Sequence, residues 1–348
     1  MTSKYKSSAT IISLEEAVGK VLAHDVTEIR PGQFKGPSFK KGHLVREEDL
    51  PHLRRLGKEH LYVLHIGPGE VHEDDAALRL ATALAGKGVT FSRPPSEGKI
   101  SLKAAHGGLL KVRVEALTEL NSVPDICCAS RHNNVVVEEG DTIAATRAIP
   151  LIIEEGKLCE ALRIAEAEGG IFTVKPLTNP QTGLVITGNE VFHGLIEDKF
   201  APILKKKLQQ FGCDVKGVVF APDDTVKIAA GIDQLLQGGS QLILVAGGMS
   251  VDPDDVSRMA IVQAGAEDVV YGTPVLPGAM FLYGRIGTVP VLGVPACVLY
   301  YKATVLDLIL PRVLAGEVIS RKDLAALAHG GLCLNCERCR FPVCPFGK

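Results

Sequence analysis

The chain contains no tryptophan, and aromatic residues make up only 5% of its 348 residues. Stacking platforms for single-stranded nucleic acid are therefore poorly supplied. An excess of one charge is missing too: 38 lysines and arginines stand against 40 aspartates and glutamates, a formal net charge of −2. No global field draws such a protein to nucleic acid or to an anionic membrane. The local basic run Lys205-Lys206-Lys207 reads as the solvated face of an amphipathic helix. No apolar stretch reaches the length of a membrane span without a charge or proline, since the most apolar late run is broken by Lys302, Asp307 and Pro311. The N-terminal stretch MTSKYKSSATIISLEEAVGK lacks a long apolar segment, so no secretory leader is expected and a cytoplasmic location is. In that compartment the nine cysteines are expected to be reduced or metal-bound rather than paired. Familiar catalytic signatures are also lacking. There is no Walker A, no G-x-G-x-x-G after a strand, no G-x-S-x-G elbow and no HExxH.

What is present is ample material for cores, with 46% hydrophobic residues and a positive mean hydropathy of +0.18. The length suits two domains, or two and a small module. Residues 1–178 read as mixed α+β. A helix is expected over 12–22 with Ser13 as its N-cap and a better one over 75–85, with strands near 61–66, 99–114 and 134–143. The vicinal Cys127-Cys128 reads as buried thiol with no assigned role. A proline and asparagine cluster at 176–182 marks a boundary, after which residues 179–318 alternate strand and helix as a doubly wound α/β domain does.

The most informative stretch of that domain is QLILVAGGMSVDPDD, residues 241–255. Leu242, Ile243, Leu244, Val245 and Ala246 form an uninterrupted apolar run, as in a strand buried on both faces of a parallel sheet. Gly247-Gly248 then lets the backbone turn sharply and approach a ligand. Asp252, Asp254 and Asp255 offer caps to a helix whose apolar spacing begins at Val256. Strand, glycine turn and helix outline a ligand site at the carboxyl edge of a sheet. Asp223 and Asp224, after an earlier strand, read as helix caps.

Four segments recur in a recognisable order: Thr187-Gly188-Asn189-Glu190 with Gly194 and Asp198, Gly247-Gly248-Met249-Ser250 running to Asp255, Pro277-Gly278, and Gly293-Val294-Pro295. On these, residues 183–315 resemble the molybdopterin-binding domain shared by molybdopterin adenylyltransferases and molybdopterin molybdotransferases. The segments GHLVREEDLPHLRRLGKEHLYVL and GDTIAATRAIPLII resemble the N-terminal portion of the molybdotransferase type. The resemblance implies a three-layer fold with a pterin bearing a dithiolene and a terminal phosphate across the sheet's carboxyl edge. It implies pterin contacts from Thr187, Gly188, Asn189, Glu190, Gly247, Gly248, Ser250, Asp254, Pro277, Gly278, Gly293 and Pro295. Glycine turns suit a phosphate because their N–H groups converge on it. Aspartates beside a phosphate need a cation between, so Asp198 and Asp255, at the family's two acidic positions, are expected to hold Mg²⁺ and to be catalytic. The reaction implied is molybdate insertion into adenylated molybdopterin, with a homodimer as the assembly and cofactor-biosynthesis proteins or molybdoenzymes as recipients.

Departures from that pattern keep a second reading open. Leu276 and Ala279 stand where molybdotransferases offer lysines, Ala296 and Cys297 replace a glycine and an asparagine, and Phe200 replaces another asparagine. Only residues 319–348 follow the sheet domain, so the β-rich C-terminal domain that the resemblance implies is not expected here. A non-catalytic carrier or sensor of the pterin is therefore the alternative. In the tail, Cys333, Cys336, Cys339 and Cys344 are spaced C-x₂-C-x₂-C-x₄-C and followed by Pro345. Four thiolates so spaced can hold one zinc ion or one iron–sulfur cluster.

Overall fold

The computed structural model describes residues 9–30, 33–64, 66–96 and 98–348. The first eight residues, part of the stretch read for a leader, lie outside the described residues, as does His65 within the strand expected over 61–66. No helix among the described residues is long and apolar enough to cross a membrane. The chain forms two compact units, the first drawn mostly from residues before Val174 and the second running from Lys175 to Lys348 with short pieces of the earlier chain.

The first unit is mixed α+β. An antiparallel strand pair joins Ala9–Ser13 to His60–Leu64, and a four-stranded antiparallel sheet has the order Val89–Phe91, Lys99–Ala104, Thr142–Ala148, Ile126–Ser130. The helix Glu73–Leu84 buries Ala77, Leu80, Ala81 and Leu84 on one face, as its 3–4 spacing dictates. The helix expected over 12–22 is absent, and its reason is local. Ser13 and Glu16 do make the reciprocal cap, with the Ser13 N–H donating to Glu16 Oε2 at 3.1 Å and the Glu16 N–H to Ser13 Oγ at 3.3 Å. Only one turn follows before Gly19 swings to a φ of 79° and ends it.

The second unit is a three-layer α/β domain, and its elements are labelled here in chain order. They are β1 (Thr182–Thr187), α1 (Asn189–Phe192), α2 (Phe200–Gln209), β2 (Val215–Ala221), α3 (Thr225–Gln237), β3 (Leu242–Ala246), α4 (Ser257–Gln263), β4 (Glu267–Tyr271), β5 (Leu282–Ile286), β6 (Val289–Val294), α5 (Val305–Leu314) and α6 (Arg321–Ala326). The sheet order is β2-β1-β3-β6-β5-β4, in which the first four strands are parallel and β5 runs antiparallel to both its neighbours, β6 and β4. Strand alternation splits the apolar residues between two cores. Leu184, Ile186, Leu244 and Leu292 pack under α2 and α5, whereas Val185, Ile243, Val245 and Val291 pack under α3 and α4. Each such fully buried aliphatic side chain contributes about 1.5–3 kcal/mol of transfer free energy.

Register brings the strand ends into line. Thr187 pairs with Ala221, Ile186 with Ala246, and Ala246 with Val294, so four strands stop along one edge. The chain leaves β1 towards β2 on one side and places β3 on the other. At such a reversal, outside the carboxyl ends of the strands, open α/β sheets generally bind their ligands.

Candidate functional site at the carboxyl edge of the sheet

The carboxyl edge carries a glycine turn held from below. Gly247 and Gly248 have φ of 97° and 60°, and a Cβ on them would lie 2.7 Å from the Thr187 carbonyl oxygen and 2.5 Å from Ser257 Oγ. Only glycine fits either place. Beneath the turn, the Thr187 hydroxyl donates to the Ala246 carbonyl at 3.3 Å and accepts from the Ser257 hydroxyl at 3.1 Å, so this buried pair satisfies itself. The Tyr271 hydroxyl donates to the Met249 carbonyl at 2.6 Å, which pins the next residue of the turn. Met249 is buried over Gly293, where a Cβ would sit 2.6 Å from its Sδ.

The turn's donors are then easy to assign. The Gly247 N–H reaches the Val294 carbonyl at 3.4 Å, and the Ser257 N–H closes on the Gly248 carbonyl at 3.2 Å. Among the described residues the N–H groups of Gly248, Met249 and Ser250 have no partner. Successive N–H groups in a left-handed glycine turn form an anion-binding concavity.

A groove of about 340 Å³ opens beside this turn, lined by Gly248, Ser250, Asp255, Gly278, Ala279, Pro295 and Cys297 among others. Five of the residues expected at the ligand therefore meet in one place: Gly248, Ser250, Asp255, Gly278 and Pro295. Thr187, Gly247 and Gly293 lie below the surface and shape it. Pro277 precedes Gly278, whose φ is 130° and whose missing Cβ leaves room for Val305, 2.4 Å from where that atom would be. Among the described residues no lysine or arginine lines the groove. Leu276 is 55% exposed, and Ala279 faces the cavity. Arg285 does not supply the absent cation, because it pairs with Pro290 at the opposite end of β6 and is bound to Asp268 at 2.8 Å.

An acidic rim adjoins the groove, formed around the loops after β1 and β2. The Asn189 N–H donates to Asp223 Oδ2 at 2.9 Å, and the Asp223 N–H returns a bond to Asn189 Oδ1 at 3.2 Å. Burial pushes the Asp223 carboxyl above its usual range, the Asn189 N–H opposes that shift, and the charges of Glu190, Asp255 and Asp254 add to it. Asp224, next to it, caps α3 by accepting from the Val226 and Lys227 N–H groups. The expectation that Asp223 is a cap is thus corrected. Its position after a strand that stops on the same edge as β1 and β3 was the signal available for it. Asp254 is exposed at the rim, and Asp252 accepts from its N–H at 3.1 Å. Asp198 stands elsewhere: its carboxylate accepts from the Phe200 N–H at 2.7 Å and the Ala201 N–H at 3.1 Å at the start of α2. Among the described residues no three or more His, Cys, Asp or Glu side chains converge as they would on a metal ion.

The four tail cysteines line a separate cavity of about 380 Å³ together with Tyr300 and Phe341, among others. All nine cysteines are free thiols. Cys128 is buried, and its thiol is pushed up to about 12 by that burial and by Cys127, against a hydrogen bond from Thr146. Cys128 is an inert core residue, as expected, whereas Cys127 is exposed rather than buried, because strand alternation turns it to the opposite face.

Comparison with known proteins fits this geometry. Residues 183–315 match the family described as "Probable molybdopterin binding domain", and residues 11–65 match a domain of unknown function, DUF8806. A molybdopterin molybdenumtransferase from Synechococcus elongatus is 26% identical over 142 residues, 38% of this chain and 35% of the relative. A CinA-like protein from a Sulfurihydrogenibium species is 30% identical over 25% of this chain and 22% of its own length. The chain thus spans about a third or less of the curated relatives it matches. The crystal structure of the molybdopterin biosynthesis enzyme MoaB from Thermus thermophilus aligns with a TM-score of 0.34 at 18% identity, over 40% of this chain and 98% of that one.

Proposed function

Because residues 183–315 belong to the family of molybdopterin-binding domains, we propose that this protein binds molybdopterin across the carboxyl edge of its sheet and acts in molybdenum cofactor biosynthesis as a divergent molybdotransferase. The observation that carries the reading is the single groove in which Gly248, Ser250, Asp255, Gly278 and Pro295 meet beside three unpaired N–H groups. The N–H groups hold the terminal phosphate, and the apolar walls, with Met249 and Met280, take the fused rings.

In this reading Mg²⁺ would sit at the acidic rim, where burial first, and then the charges of Glu190, Asp255 and Asp254, push the Asp223 carboxyl above its usual range, a cost that a cation would relieve. Asp255 is its ligand in this reading, with Asp223 and Asp254 beside it. Asp198 joins only if it gives up its role at the start of α2. The cation would screen the phosphate and polarise its oxygens as AMP leaves and molybdate enters. Adenylated pterin and molybdate are the small-molecule partners. The homodimer, the cytoplasmic location and a molybdoenzyme or biosynthetic recipient belong to the same proposal, as does a zinc or iron–sulfur group on the tail.

A second reading, a carrier or sensor of the pterin, is favoured by one observation: Ala279 and Leu276 leave the groove without a cation for the oxyanion. AMP release from adenylated molybdopterin separates the two. Molybdate-dependent release with Mg²⁺, falling about 100-fold in Asp255→Asn while pterin affinity changes little, supports the transferase. Tight pterin binding without AMP release in the wild type sinks it and leaves the carrier.

A further inference from the structure

The tail that carries the four cysteines is built into the domain rather than appended to it. Phe346, just beyond the last cysteine, is 3% exposed in the core under α5, and Phe341 meets it edge to face with centroids 6.2 Å apart. At the other end, the Leu276 N–H donates to the Gly331 carbonyl and the Cys333 N–H to the Leu276 carbonyl, both at 2.8 Å, so Leu332 lies strand-like beside Leu276. The Gly347 N–H closes the segment onto the Gly330 carbonyl at 2.9 Å. Asn335, between the first two cysteines, takes a φ of 49°, a turn that asparagine tolerates well. The thiol-bearing segment is therefore a closed loop, anchored on both sides, around the cavity of about 380 Å³.

The size of that cavity discriminates between its candidate occupants. One tetrahedral zinc ion requires all four sulfurs at about 2.3 Å from a single point. Here the four cysteines line a space of about 380 Å³ instead. A body of several irons bridged by sulfide asks for such a space, bound by one thiolate per iron. Cys333 and Cys344 are half-buried and Cys336 and Cys339 exposed, so the loop is open to loading from solvent. The lining also carries Lys302, Arg340 and Glu337.

We propose that Cys333, Cys336, Cys339 and Cys344 hold one [4Fe–4S] cluster in this cavity, and that the cluster is joined to the sheet-edge groove through two short backbone segments. One is 276–278, in which Leu276 carries the tail and Gly278 lines the groove. The other is 297–303, in which Cys297 lines the groove, Tyr300 and Ala303 line the cavity, and the Tyr301 N–H donates to the Cys297 carbonyl at 3.0 Å. The cluster site stands without the pterin reading, and only the joining rests on it.

The test uses the full chain, purified anaerobically and reconstituted with iron and sulfide. It is expected to carry about four irons and four sulfides, with a visible absorption bleached by dithionite. One zinc per chain and no sulfide after the same treatment overturns the cluster. Cys336→Ser and Cys339→Ser, at exposed positions, are each expected to lose the cluster while keeping the far-ultraviolet circular dichroism of the wild type. Full cluster content in both variants overturns the ligand assignment. Loss of the cluster is further expected to weaken molybdopterin binding by about fivefold or more. Equal affinity with and without the cluster overturns the joining. Absence of pterin binding in every form counts against the proposed function, and leaves the iron and sulfide result to judge the cluster alone.

Discussion

Gly293 illustrates how a residue can belong to the site without facing the ligand. It lies in β6, with the Met249 sulfur 2.6 Å from where a Cβ would be and Leu282 Cβ at 2.9 Å. Adding that one methyl group forces Met249 up and with it the turn that carries the unpaired N–H groups. Gly293→Ala is expected to destabilise the domain by about 1–3 kcal/mol in urea unfolding. Pterin affinity is expected to fall in the same variant even under conditions where it stays folded. A folded variant with wild-type affinity refutes the placement of the phosphate on this turn.

At the scale of elements, α5 and α6 are tied by a buried arginine. Arg312 in α5 is 6% exposed and donates to Glu317 at 2.8 Å and to Asp323 in α6 at 2.5 Å. Burial alone would raise the Asp323 carboxyl, but hydrogen bonds from Ser320 and Arg312 outweigh it and hold the group at about 2. A folded value below the unfolded one means that the stability it contributes is fully present above about pH 4 and is lost as pH falls towards 2. Asp323→Ala is expected to cost about 1–3 kcal/mol at pH 7, because one partner of a buried guanidinium is removed and the other remains. The difference from wild type, measured by urea unfolding at successive pH values, is expected to shrink as pH falls below about 4. A constant difference across that range is incompatible with the linkage.

Elements also show what sequence could and could not convey. Leu242 to Ala246 was legible because a strand buried on both faces has no polar residue to interrupt it, and Gly247-Gly248 because no other residue type fits there. Asp224 was legible as a cap, whereas Asp223, one residue earlier, was assigned the same role. Its true partner, Asn189, lies 34 residues away, and only the alignment of strand ends brings them together. The segment around Ser13 misled for the opposite reason. Its capping chemistry is real, but only one turn fits before Gly19 takes a positive φ and ends it. Strand β4 is hard to read from sequence because it is the edge strand, with β5 as the one neighbour that constrains its pattern. The motif segments located the groove well, but Asp198 shows that matching a position does not establish its contacts.

The molecule as a whole consists of two compact units with separate cores. Units with separate cores need not melt together. Calorimetry of the full chain is expected to show two transitions, and molybdopterin to raise the one that belongs to the sheet domain, since a ligand stabilises only what it binds. A single transition shifted as a whole by the ligand excludes independent melting.

The Thr187 and Ser257 hydroxyls beneath the glycine turn spend their hydrogen bonds on each other and on the Ala246 carbonyl. The surface they support therefore presents amide N–H groups, which every amino acid carries alike. A grip made from the main chain survives exchange of the side chains around it. On the proposed reading, such a pocket can exchange the groups that perform chemistry, with Leu276 and Ala279 uncharged there, without loosening its hold on the phosphate. Holding the ligand and carrying out the reaction are then separable.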